Sequence, residues 1–264
     1  MKNNWLFKNL SIAFIAAQLF ITSGCGTLES GNEITDDRYN SEAWKLQFAW
    51  LKDQEDADFL LYVRRMSEAE KLAKMAIARA KKFNEDDPRL ARSLTSLGRI
   101  FLESAKYQEA LVPLEKARRI KTEKFGKNSA DVADILTEIS YANFNLGNLD
   151  KARANLDKAR AIRKVINDNF STIDSDLIEG LILDKENRHE EALKKFLSCI
   201  ETYNQRMEEM PDSISTEQMN RMTICFQKYI SIQNNLNPGF DTSPFKNNLE
   251  KLNRWLRLLG NSNA

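Results

Sequence analysis

Residues 97–117 read LGRIFLESAKYQEALVPLEKA. Leu97 and Gly98 come first, Ala110 follows the glycine by twelve residues, and Ala117 comes seven later. The stretch holds no histidine, cysteine or glycine-rich loop, so packing and not chemistry must set these intervals. The intervals recur along the chain. SEAEKLAKMA (67–76), QEALVPLEKA (108–117), DKARANLDKA (150–159) and EEALKKFLSC (190–199) align on Ala69, Ala110, Ala152 and Ala192, which lie 41, 42 and 40 residues apart. Seven residues after each comes Ala76, Ala117, Ala159 or Cys199, and four after each comes Ala73, Leu114, Leu156 or Phe196. Twelve before each lies a small residue, Ala57, Gly98, Ser140 or Gly180. Self-similarity at a fixed period of this size marks a solenoid. Small residues belong where two helices cross closely, because bulk would force the axes beyond 8–10 Å.

The pattern resembles the tetratricopeptide repeat, a helix-turn-helix unit with Leu-Gly in its first helix and an alanine opening its second. Leu97, Gly98, Phe101, Ala110, Leu114 and Ala117 match it place by place. The period exceeds the family's usual 34 residues by roughly one extra turn per helix, which keeps the buried faces in phase. KFGKNSADVA (124–133) resembles the inter-repeat segment of the longer kinesin light chain type. The resemblance covers about 50–205 and fades toward 260. It implies an all-α, right-handed superhelical solenoid of antiparallel helix pairs over residues 41–236, closed by a capping helix in 237–264. It also implies a scaffold that binds other proteins, with no catalysis and no cofactor.

Composition agrees. The 264 residues hold only 9 Gly and 5 Pro, which favours long helices. Lys plus Arg number 39 against 38 Asp plus Glu, a balance that gives no general pull toward nucleic acid. The first 24 residues differ from the rest. Lys2 and Lys8 lie ahead of an apolar run from Leu10 to Ile21, well short of the ~20 residues that span a bilayer, and thus a signal-peptide core. Thr22-Ser23-Gly24-Cys25 resembles a bacterial lipobox, although that motif usually has Leu where Thr22 stands. The resemblance implies cleavage before Cys25, lipidation of Cys25, and a membrane-tethered protein of the cell envelope. Gly26 resembles the outer-membrane sorting pattern, with the periplasmic side as the site of the domain. Two other readings stay open: an ordinary cleaved signal with an incidental cysteine, and an uncleaved anchor on an inner-membrane or cytoplasm-facing assembly factor. Residues 26–40 lack periodicity and read as a flexible tether.

Local signals fit the register. Asp87-Pro88 offers an N-cap and an N1 proline. Ser67-x-x-Glu70 and Ser215-x-x-Gln218 have the capping-box form. Ser243-Pro244 opens a final helix with Leu249, Leu252, Leu256 and Leu259 on one stripe. Two places strain the pattern. Pro113 falls inside a second helix, and the polar run KDQEDAD (52–58) threatens the first helix of repeat one.

In the family, places two, five, nine and twelve of the first helix face the concave groove. With Leu97 and Gly98 as places seven and eight, the resemblance assigns Arg92, Thr95, Arg99 and Leu102 there, then Asp134, Thr137, Tyr141 and Phe144, then Asp174, Leu177, Leu181 and Asp184. Arg92 and Arg99 beside Tyr141 and Phe144 would suit an extended peptide bearing carboxylates. The alternative is that the arginines form a solvated face and the aromatics are inter-helix core. The single histidine, His189, reads as a turn residue, and no His/Cys metal cluster can form. Cys199 and Cys225 are either a disulfide across neighbouring helices or two buried hydrophobes.

Overall fold

The structure is a computed structural model that describes residues 41–168, 173–209 and 215–261, with side chains to 258. The signal segment, Cys25, the tether and the Leu259 side chain lie outside these residues. Ten helices occupy the described residues. They are α1 (Glu42–Tyr62), α2 (Met66–Ala80), α3 (Pro88–Glu103), α4 (Tyr107–Phe125) and α5 (Ala130–Asn145). After them come α6 (Leu149–Val165), α7 (Ile173–Lys185), α8 (His189–Glu209), α9 (Thr216–Leu236) and α10 (Ser243–Asn261). Consecutive helices pack as five pairs, each stacked on the next. Among the described residues no helix is long and apolar enough to cross a membrane.

The alanine register is the packing register. Ala69, Ala110, Ala152 and Ala192 are all fully buried, as are Ala76, Ala117, Ala159 and Cys199. In each of the first four pairs, a small residue of the first helix lies sixteen places before a buried residue of the second. A Cβ on Gly98 would lie 2.5 Å from Leu114, and one on Gly180 would lie 2.7 Å from Phe196. Such approaches are impossible for a real Cβ, so glycine is what lets Leu114 and Phe196 seat. Repeat one solves the same problem with Ala57 and Ala73, and repeat three with Ser140, whose Oγ donates to the Ala152 carbonyl at 2.7 Å. Burying Leu114 or Phe196 fully contributes roughly 1.5–3 kcal/mol each.

The turns repeat too. Arg64, Ala105, Gly147 and Asn187 each take a positive φ, between 56° and 79°, five residues before an anchoring alanine. At each turn the following residue bonds back five positions, as from Lys106 N–H to the Phe101 carbonyl at 2.8 Å, while the positive-φ residue bonds back three. That is the Schellman pairing, which satisfies carbonyls orphaned at a helix end. It reverses the chain in the space of three or four residues.

Several local expectations resolve at this level. Asp87 caps α3, accepting from the Arg89 amide, with Pro88 at N1. Ser215 and Gln218 form a complete capping box at α9. Ser67 does not cap α2: the helix already starts at Met66, with Arg65 at the cap position. Glu70, freed from that role, binds Lys74 at 2.6 Å and Lys106 of the next repeat at 2.9 Å. Pro113 is buried within α4, which continues through it. His189 is the first residue of α8, not a turn residue, with its Nδ1 3.1 Å from Asp184.

The polar run of repeat one does not break α1, which is continuous. Asp53, Gln54 and Asp58 turn inward and bond to α2 and α3, while Lys52, Glu55 and Asp56 stay exposed. Trp50 Nε1 donates to Ser93 Oγ at 2.9 Å, Ser93 donates to Gln54 Oε1 at 2.7 Å, and Gln54 Nε2 donates to Ser96 Oγ at 2.8 Å. Ser96 in turn donates to Asp58 at 2.6 Å, and Asp53 takes the Arg79 guanidinium at 2.5 Å. Buried polar groups cost little once each has a partner.

Candidate partner-binding groove

The first helices of the pairs, α3, α5 and α7, carry the groove positions, and α9 of the fifth pair comes round to meet them. Arg221 of α9 is 4% exposed and reaches Glu138 of α5 at 2.6 Å and Asp174 of α7 at 3.1 Å. Its guanidinium stacks over the Tyr141 ring, 4.9 Å from the centroid. Arg99 of α3 closes on the other oxygen of Glu138 at 3.3 Å. Asn220, next along α9, donates to Glu103 of α3 at 3.2 Å, and Glu103 also meets Arg64 from the first turn at 3.5 Å. Five repeats are thereby tied through one set of polar and charged groups.

A polar cavity of about 170 Å³ opens beside this set, with Arg99, Asp134, Thr137, Asp174, Arg163 and Gln218 on its walls. Arg163 comes from α6, behind the groove, and is 5% exposed. It donates to Thr137 at 3.0 Å, to Ser175 at 2.9 Å and to Asp134 at 2.9 Å. Desolvation alone would push the Glu138 carboxyl up, but Arg221 and Arg99 together hold it below the usual carboxylate range. Asp134 goes the other way, because desolvation outweighs Arg163 and raises it. Glu103 is likewise raised by desolvation. The cavity therefore has both signs of charge on its wall and carboxyls tuned in opposite directions. Among the described residues, no three His, Cys, Asp or Glu side chains are grouped as a metal ion would need.

The assigned groove residues divide into two sets. Arg92 and Arg99 keep about half their side-chain surface open. Arg92 lies 3.2 Å from Asp58 and 5.9 Å above the Trp50 ring. Phe144 is half-buried against the core. Thr95, Tyr141 and Leu181 are instead buried, at 8%, 9% and 6% exposure, and form the floor. Thr95 bonds the Ala91 carbonyl, and Tyr141 packs edge-on against Tyr107 under Arg221. Buried there, they are not open to contact from outside. Counting places along each first helix also gave Asp134, Thr137 and Asp174 of the cavity wall. It missed Glu138, one place beyond Thr137, together with Arg163 on a second helix and Arg221 and Gln218 on α9.

Cys199 and Cys225 face each other across the α8–α9 seam, both fully buried, with their sulfurs 2.7 Å apart and unbonded. Burial and the neighbouring thiol push Cys199 well up.

Residues 57–123 match the tetratricopeptide repeat family. No curated protein matches the chain. Among solved structures, the fold is similar to a Podosopora anserina protein of kinesin light chain type with nearly identical TPR-like repeats. That likeness has 15% identity, covers 79% of this chain and 92% of that one, and has a TM-score of 0.50. BtubC (BKLC) from P. vanneervenii is similar at 13% identity, over 86% of this chain and 93% of its own, with a TM-score of 0.53. A Rap protein complexed with Competence and Sporulation Factor is similar at 14% identity, over 81% of this chain and 66% of its own, with a TM-score of 0.54. Residues 57–123 thus carry the tetratricopeptide repeat signature, and the helix pairs of the described residues share the fold of solved TPR-like repeat structures.

Proposed function

We propose that the chain is a membrane-tethered interaction scaffold of the cell envelope, anchored through lipid on Cys25, whose concave face holds a segment of another protein during assembly of an envelope complex. Repeats of this kind are generally non-catalytic scaffolds that bind other proteins, and the Rap structure is of such a fold with a bound factor. The observation that carries the reading is the mixed-charge cavity beside Arg99, with the half-open Arg92 about two helical turns away on α3. Half-exposed guanidiniums in a concave wall suit the carboxylates of an extended segment, because the planar fork binds carboxylate at two points. The lipobox resemblance supports the tether, and two or three acyl chains suffice for stable anchoring.

A photo-crosslinking residue placed at Arg92, against one at the convex Val112, which is 73% exposed, tests the reading in membranes. A partner joined at 92 and lost when Arg99→Gln is added, while the variant keeps its unfolding midpoint, is the expected result. Joining only at 112 places the working surface on the convex face and sinks the groove assignment. Mass analysis of the mature N-terminal peptide reads the lipid on Cys25 separately.

A further inference from the structure

We infer that the outer face of α1 is an interface between two copies of this chain, paired head to head about a two-fold axis. In the interior repeats the corresponding face is covered by the preceding repeat from the place of Lys52 to that of Phe59, while Arg89 and Asp131, the counterparts of Phe48, are half-buried and exposed respectively. The counterparts of Phe59 are Ile100, Ala142 and Ile182, all fully buried. Those of Glu55 are Ser96, Glu138 and Ile178, and those of Lys52 are Ser93, Ile135 and Ser175, each at most 7% exposed. The covering is visible directly at α3, where Ile100 packs into the Ala57, Leu60, Leu61 and Val63 cluster of repeat one. On α1 itself the face is open: Phe48 is 61% and Phe59 45% exposed, and Lys52 and Glu55 are exposed between them. Neither of those charges is paired within the chain among the described residues.

The occupant is read from the order of the side chains. Phe48, Lys52, Glu55 and Phe59 follow spacings of four, three and four, which puts them on one helical stripe about 16 Å long. The stripe is symmetric about a point between Asp53 and Gln54. An antiparallel second α1 crossing there sets Phe48 against Phe59 of the other copy and Lys52 against Glu55, and each contact occurs twice. That reciprocity is what an isologous two-fold interface demands. Parallel pairing in register would instead set Lys52 on Lys52 and Glu55 on Glu55. The stripe is therefore complementary to itself in one orientation alone, with aromatic pairs at the ends and crossed charges in the middle. Such pairing would join two solenoids through their first repeats and leave both grooves clear.

Light scattering and sedimentation equilibrium on the full chain, over a concentration series, test this. Wild type is expected to dimerise. Lys52→Glu alone and Glu55→Lys alone each set like charges opposite one another and should weaken association by about tenfold or more. An equal mixture of the two single variants restores both crossed pairs and should return the dimer, as should the double swap within one chain. All four positions are exposed, so the unfolding midpoint should not move. A wild type that stays monomeric throughout overturns the interface. So does a dimer indifferent to the single swaps, which would lie on another face, or a mixture that fails to recover. Capture of a different protein on this stripe by the monomer would replace the second copy as its occupant.

Discussion

Between α3 and α4 the contact is made of size: Gly98 gives up its side chain so that Leu114 can occupy the space, and no polar atom takes part. Between α5 and α9 it is made of charge: Glu138 and Arg221, both nearly out of water, hold two helices that lie 83 residues apart in sequence. The two contacts fail in different ways. A size match degrades in proportion to the volume changed, since a packed core loses or strains atom by atom. An ion pair without water fails all at once, because removing one partner strands the other. The solenoid uses the first device within its first four repeats, where the geometry recurs. It uses the second where repeat five must meet repeats two to four, a contact that occurs once.

The sharpest way to break this contrast is Glu138→Leu. It leaves the Arg221 guanidinium buried with only Asp174 to balance it, and should cost about 3–5 kcal/mol in chemical unfolding at neutral pH. Adding Arg221→Met removes the stranded charge and should recover most of that loss. If the double variant is no better than the single, the contact is a matter of shape and the contrast collapses. Acid reads the same pair. The carboxyl's folded value is depressed, so its contribution is fully present above the unfolded value of about 4.3 and is lost as pH falls through the folded one. Asp134 and Glu103 are raised and run oppositely, binding protons earlier in the folded state than in the unfolded. Glu138→Gln should therefore flatten the steep acid limb of the wild-type stability curve.

The size device answers to a double-mutant cycle at Gly98 and Leu114. Gly98→Ala alone drives a methyl into Leu114 and should cost about 1–3 kcal/mol. Leu114→Ala alone opens a cavity and should cost about 2–5 kcal/mol. Together they rebuild the Ala57–Ala73 arrangement of repeat one, so the losses should fall short of additive by about 0.5–3 kcal/mol. Strict additivity, measured by the same denaturant titrations, would mean that the two residues do not share the seam.

The contrast also explains what the sequence disclosed. Every member of the size seams lies sixteen residues from its partner in a unit that recurs, so alignment of the chain with itself exposes Gly98 with Leu114 and Gly180 with Phe196 beside the anchoring alanines. The cavity wall was half legible. Arg99, Asp134, Thr137 and Asp174 follow from counting places on a first helix, whereas Arg221 answers to the closure of the superhelix, which no local spacing encodes. The polar run 52–58 misled for a related reason. It is hydrophilic as a string, yet Gln54 and Asp58 are satisfied by Ser93 and Ser96, forty residues on. Burial of a polar side chain depends on where its partner stands, and a linear pattern does not carry that.

The smallest expected effect tests whether the turns between the seams are set by the repeat or by the residue. Ala105 holds φ at 56°, and Gly147 does the same work in repeat three at 79°. An L residue in that region carries roughly 1–2 kcal/mol of strain from its Cβ. Glycine removes it but adds roughly 0.5–1 kcal/mol of unfolded-state entropy. Ala105 is exposed, so nothing is lost by deleting its methyl. Ala105→Gly should then stabilise by up to about 1 kcal/mol, and Gly147→Ala should destabilise by a similar amount, both read from thermal midpoints with the denaturant slope unchanged. Opposite signs at two equivalent places mean that the seam lengths impose the left-handed turn and the sequence merely tolerates it. Equal signs would mean that each turn finds its own geometry, and the common interval of five residues before the alanine would need another cause.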